Sequence, residues 1–110
     1  MGAMTDREEI LREFIESLDC PAIVEGRRDA DALNRLGVED IVVLNKGQTL
    51  LETVEALQGI GEVAVLTDMD QHGKILRRKL LNLFKLYGIQ EKRRPRELFA
   101  RLRLSHVEGL

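Results

Sequence analysis

The chain is short of the residues that most often fix a protein's class: it has one cysteine, two prolines, one tyrosine, three phenylalanines and no tryptophan in 110 residues. A lone cysteine, Cys20, excludes an internal disulfide and fits a reducing compartment, so the chain reads as cytoplasmic. Cys20 stands beside Pro21 at the start of an apolar segment, with no histidine near it in sequence, and a small buried role outweighs a nucleophilic one. No apolar run approaches the length of a membrane-spanning helix, and the acidic N-terminus is unlike a secretory signal. No membrane partner is therefore expected. Met1-Gly2-Ala3 reads as an added leader before a natural start at Met4. The balance of 44% apolar and 33% charged residues suits a globular protein and argues against a disordered chain or one embedded in a membrane. The length suits one domain, residues 1–110, with one core. Internal repeats, low-complexity tracts and interdomain linkers are also missing.

What is present is a strong polarity of charge. Residues 1–73 hold 6 Lys/Arg against 16 Asp/Glu, whereas residues 74–110 hold 11 against 3, which hides behind a net charge of −2. A basic C-terminal part suggests a polyanion partner, RNA or DNA. The competing explanation is that these cations are solvated helix faces or partners of the acidic first helix.

Hydrophobic spacing gives the elements. Asp6 opens a helix over residues 5–18, with Thr5 as N-cap and Glu8 completing a capping box; Ile10, Leu11, Phe14, Ile15 and Leu18 form its buried stripe. Residues 21–25 and 40–44 read as apolar strands, separated by a helix from Arg28 to Leu36 that stops at Gly37. Gln48 to Leu57 is a helix and residues 62–67 a third strand. A long helix runs from Gly73 to Tyr87, with Ile75, Leu76, Leu80, Leu83, Phe84 and Tyr87 spaced for burial. Gly88 ends it, residues 89–91 form a short fourth strand, and Pro95 suits the first turn of a last basic helix within residues 95–104. Strands alternating with helices predict an α/β fold: a compact, Rossmann-like, three-layer domain with a mostly parallel sheet of about four strands and right-handed crossovers.

Chemistry concentrates where strands end. Leu66-Thr67-Asp68-Met69-Asp70-Gln71-His72-Gly73 sets two carboxylates, one residue apart, between an apolar strand and a helix. Ligands of open α/β sheets gather beyond the carboxyl ends of strands. Two close acids repel unless a cation or shared proton compensates, and magnesium is commonly held by one or two carboxylates with water and phosphate completing its shell. Turn formation and helix capping by Asp is the rival explanation. The first strand similarly ends in Glu25-Gly26, with Asp29 three residues on. Glu25 is placed for acid/base work in the same crevice, and Gly26 would let a phosphate approach the backbone. Lys46, at the end of the second strand, and Arg77 and Arg78, past Gly73, are further phosphate candidates. Nothing is expected of His106.

Ile23-Val24-Glu25-Gly26-Arg27-Arg28-Asp29 followed by Leu66-Thr67-Asp68-Met69-Asp70-Gln71-His72-Gly73 resembles the Toprim domain. That domain is shared by type IA and type II topoisomerases, bacterial primases, the maturase of 5S ribosomal RNA, and recombination and overcoming-lysogenization nucleases. The likeness covers roughly residues 20–90 and is nearest to small, stand-alone, maturase-like members. The resemblance implies the Toprim fold, Glu25 as general acid/base, and Asp68 and Asp70 as ligands of magnesium, with manganese an acceptable substitute. It makes Asp29 and His72 candidates for metal-linked roles, and Gly26 and Gly73 part of the phosphate-facing loops. Topoisomerases carry a third acid where this chain has His72, and Tyr87 sits at a core-like spacing, so strand passage is not expected. The implied function is magnesium-dependent cleavage or transfer of phosphodiesters on RNA or DNA. The alternative is a non-catalytic nucleic-acid-binding module acting with a protein partner or a second copy. A phospho-acceptor receiver-like domain fits poorly, because it needs the acidic pair after the first strand and a lone aspartate after the third.

Overall fold

The structure, a computed structural model, describes residues 4–44 and 47–102. Helix α1 (Asp6–Ser17) starts at Thr5, whose hydroxyl accepts from Glu8 N at 3.1 Å. Only this half of the expected box forms there. The reciprocal box instead opens α3 (Leu50–Ala56), where Thr49 and Glu52 each satisfy the other's backbone N–H at 3.1 Å. The remaining helices are α2 (Arg27–Arg35), α4 (Gln71–Tyr87) and α5 (Arg94–Arg101). Gly88 closes α4 in the left-handed region at φ 67°, a conformation that glycine adopts without a Cβ penalty.

Strands β1 (Ala22–Val24), β2 (Ile41–Val43), β3 (Glu62–Val65) and β4 (Gln90–Glu91) form one sheet in the order β2-β1-β3-β4, all pairs parallel. Ala22 aligns with Ile41 on one side and Ala64 on the other. Side chains of successive strand residues point to opposite faces, so the apolar runs feed two cores. Ala22, Val24, Ala64 and Leu66 pack with Phe14 of α1, Ala30 and Leu33 of α2, and Leu98 and Phe99 of α5. Ile23, Val63 and Val65 pack with Val54 of α3 and Leu80 and Phe84 of α4. Helices thus cover both faces, and the three-layer parallel α/β fold follows from that alternation.

Some expected boundaries and burials shift. The last helix starts earlier, at Arg94, with Pro95 in its first turn, and ends at Arg101; Leu104 and His106 lie outside the described residues. Ile75, placed in the buried stripe by spacing, is 37% exposed, because only one side of α4 meets the sheet and α3. Tyr87 is half-buried, and its hydroxyl reaches Glu55 at 3.0 Å. Among the described residues no helix is long and apolar enough to cross a membrane.

Candidate functional site

The strand order creates the site. From β1 the chain passes to β2 on one side, and it returns through α3 to β3 on the other. The carboxyl ends of β1 and β3 therefore lie side by side at the point where the order reverses, the usual ligand position of open α/β sheets. Glu25 is the first residue after β1, and the ladder continues past β3 with Leu66 N donating to Ile23 O at 2.8 Å. The next turn brings Asp68 onto Glu25: Asp68 N donates to Glu25 Oε2 at 2.6 Å across 43 residues of sequence.

Glu25 and Asp68 line one open cleft of about 710 Å³, together with Gly26, Arg27, Arg28, Asp29 and His72. Leu44, Leu50 and Leu76 supply its apolar wall. Burial pushes the Glu25 carboxyl above its ordinary range, against the pull of the Asp68 N–H; the charges of Asp68 and Asp70 raise it further, while His72 lowers it. His72 Nε2 stands 3.7 Å from Glu25 Oε1, and its side chain is 74% exposed. It belongs to the first turn of α4 and not to the preceding loop.

Asp70 caps that helix. Its Oδ1 accepts from Gly73 N at 2.8 Å, which leaves Oδ2 outside the cap. Gly73 is buried, and a Cβ there would overlap Asp68 O and stand 2.7 Å from Asp68 N. Its carbonyl accepts from Thr67 Oγ1 at 2.7 Å. Gly73 had been expected to face phosphate, but both its backbone groups are taken up by the fold. The residue is needed because α4 begins against the Asp68 backbone.

Asp29 is buried, and its Oδ2 accepts from Gly26 N at 3.0 Å, fixing the turn after Glu25. Gly26 has extended backbone, φ −145°, and a Cβ there would approach nothing closer than 3.9 Å. The fold does not require glycine at this position. Arg77, a phosphate candidate, holds Glu91 through two bonds of 2.6 and 2.7 Å, whereas Arg78 is exposed on α4. Lys46 lies outside the described residues.

Arg27 and Arg28 escaped the sequence reading, and Arg96, counted with the basic C-terminal cations expected to contact a polyanion, has a different role. Arg27 and Arg28 line the cleft; they lay inside the Glu-Gly-x-x-Asp motif, which was a usable signal. Arg96 is 8% exposed and donates from Nη1 to Val65 O (3.1 Å), Thr67 O (2.9 Å) and Thr67 Oγ1 (3.3 Å), and from Nη2 to Asp68 O (3.2 Å). It ties α5 to the segment that carries the acids. The one available hint was its place beside the buried stripe of Pro95, Leu98, Phe99 and Leu102.

Among the described residues no three Asp, Glu, His or Cys side chains form a ready-made metal cage. The donors present are carboxylates on one rim, close enough for Asp68 and Asp70 to perturb Glu25. A sparse, all-oxygen set fits a hard cation that keeps much of its water shell, as magnesium does.

Comparison with known proteins shows the family and the fold. The Toprim domain family matches residues 21–102. A UPF0292 protein of Methanosarcina barkeri is 38% identical over 109 residues, which cover 94% of this chain and 76% of that protein. UPF0292 proteins of Methanocaldococcus jannaschii and Thermococcus onnurineus are 35% and 34% identical, covering 74% and 91% of this chain and 66% and 72% of theirs. A solved structure of an Aquifex aeolicus protein superposes with a TM-score of 0.82 at 25% identity, over 93% of this chain and 95% of that one.

Proposed function

The chain belongs to the Toprim domain family, whose members are metal-binding modules of nucleic-acid processing, and we propose that it cleaves or transfers phosphodiester bonds of RNA or DNA with magnesium, or manganese in its place. Asp68 and Asp70 would hold the ion, which when bound neutralises phosphate charge. The observation that carries the reading is the joining of Glu25 to Asp68 at the reversal point of the sheet. Glu25 Oε2 accepts from the Asp68 N–H, which leaves Oε1, on the side of His72, as the oxygen that would carry a proton. A carboxyl whose affinity for protons is raised by burial can keep that proton closer to neutral pH and release it to a leaving oxygen. Arg27 and Arg28 on the same cleft offer guanidinium groups to the flanking phosphates.

A second reading, a non-catalytic nucleic-acid-binding module, draws on one observation: Asp70 already serves as the cap of α4, which alone explains an aspartate there. Calorimetry with magnesium and manganese, joined to a cleavage assay on structured RNA and DNA, separates the two. The enzyme reading expects metal binding and cleavage in the parent, both lost in the Asp68→Asn/Asp70→Asn variant, and turnover lost with metal affinity retained in Glu25→Gln. Asparagine keeps the cap, so the double variant should remain folded. Nucleic-acid binding without metal-dependent cleavage of any substrate overturns the enzyme reading in favour of the module.

A further inference from the structure

The cations of the C-terminal part are not equivalent. Arg77 is neutralised by Glu91, Lys92 by Asp19 and Arg94 by Glu13, and the buried Arg96 is held by backbone carbonyls. Among the described residues from Lys74 onward, Lys74, Arg78, Lys79, Lys85, Arg93 and Arg101 form no ion pair. Four of these, Lys74, Arg78, Lys85 and Arg93, are gathered along two adjoining hollows. Lys74, Arg78, Asn82 and Lys85 follow one another on α4 at steps of four, four and three, so they share one face. They line a groove of about 560 Å³, which is joined by a smaller hollow of about 210 Å³ that adds Arg93. Met69 borders both compartments.

Met69 lies between Asp68, which lines the acidic cleft, and the capping residue Asp70. Residues 68–70 are therefore the wall between the acidic cleft and the basic groove. From Lys74 to Lys85 the helix advances about 16 Å, the length of roughly four to five phosphates along a stacked strand. Among the described residues no aromatic side chain lines either compartment, so none of them offers base stacking there. Among the described residues Glu97 is the one acid on the rim, and it is engaged by Arg94 at 3.8 Å.

We propose that the groove along α4 holds the sugar–phosphate backbone of a nucleic-acid strand and delivers it over Met69 to the Glu25–Asp68 cleft. The proposal rests on the nucleic-acid reading above and adds the path that the strand takes. Three cations on one helix face, with Arg93 beside them, suit the repeating phosphates of a strand better than an acidic protein surface, whose charges are irregular.

Fluorescence polarisation with a labelled, mixed-sequence, single-stranded 20-mer in EDTA tests it without calling on the metal site. The Lys74→Gln/Arg78→Gln/Lys85→Gln variant should bind at least about tenfold more weakly at low salt. Its slope of log affinity against log salt should fall by about two, at roughly 0.7 per lost contact on a single strand. A control of equal charge change outside the groove, Arg35→Gln/Lys79→Gln/Arg101→Gln, should lose only a few-fold. Far-UV circular dichroism of both variants should match the parent. Equal loss in the two variants, no binding by the parent at low salt, or tighter groove-dependent binding of an acidic peptide than of the 20-mer would each overturn the proposal. The assay reads groove binding with any metal chelated. Absence of cleavage with groove binding intact thus counts against the catalytic reading alone.

Discussion

Replacing Arg96 by methionine is the sharpest perturbation of the link between fold and site. Methionine fills similar space without a charge, so the change removes hydrogen bonds without leaving a large cavity. Four acceptor contacts converge on two guanidinium nitrogens, and the contact to Thr67 Oγ1 is the longest at 3.3 Å. Bonds to a charged group contribute about 1.5–3 kcal/mol each when well made. Counting two such bonds gives a loss of about 3–6 kcal/mol, close to the scale found when one partner of a buried charged network is removed. That is about a third of the stability expected of a domain this size. Arg96→Lys retains the charge but cannot span Val65, Thr67 and Asp68 with one ammonium group, and it should lose about half as much. Urea unfolding followed by far-UV circular dichroism would read these as shifts of midpoint at constant slope. Magnesium affinity should fall in both variants, and more in methionine, because Asp68 O loses its anchor next to the Glu25 bond. A methionine variant within about 1 kcal/mol of the parent would refute the view that these bonds hold the segment.

Three further outcomes follow from the site. Burial raises the Glu25 pKa in the fold, so the parent has its full Glu25 contribution below the ordinary value of 4.5 and loses it as pH rises through the folded value. Glu25→Gln escapes this loss, and its stability relative to the parent should climb with pH above 4.5, measured as urea midpoints; a flat difference would show that the carboxyl is not perturbed. Gly73→Ala should destabilise by about 1–3 kcal/mol despite the better helix propensity of alanine, since its Cβ meets the Asp68 backbone. Unchanged or improved stability there would return Gly73 to the list of ligand-facing glycines. Gly26→Ser, which has room and is a good N-cap, should fold within about 0.5 kcal/mol of the parent yet impair any phosphodiester activity; normal turnover would remove Gly26 from phosphate approach.

The elements were legible because each depends on local pattern. The runs Ala22-Ile23-Val24 and Val63-Ala64-Val65 are apolar on both faces, as strands covered on both sides must be, and they appear as β1 and β3. Gly37 and Gly88 closed helices where spacing expected. Alternation of strands and helices implied parallel pairing, but not that β1 would sit between β2 and β3. That order is a non-local choice, and it alone brings Glu25 against Asp68. Thr67, Gly73 and Arg96 were opaque for a related reason. Their roles are contacts to backbone atoms, which carry no residue identity, so Gly73 looks like any loop glycine until α4 is laid against Asp68. Arg77 was misleading in the opposite sense, since its partner Glu91 lies 14 residues away on the edge strand.

The acidic rim and the basic groove are better understood as one device than as two. Carboxylates gathered at one sheet end oppose folding and repel a polyanion. The fold offsets part of this with the Asp68 N–H on Glu25, the start of α4 behind Asp70, and the Arg96 guanidinium behind the wall. Those groups stabilise the wall from its inner side and leave the cleft side acidic. A phosphate in the cleft meets Glu25, Asp29 and Asp68 beside Arg27 and Arg28, so a cation or a proton on the acids would favour its entry, whereas the α4 groove, with its own uncompensated cations, needs neither. On the proposed reading, binding and chemistry would be separated by the width of Met69 and its two neighbours, and a strand would be held before the cleft is charged for reaction.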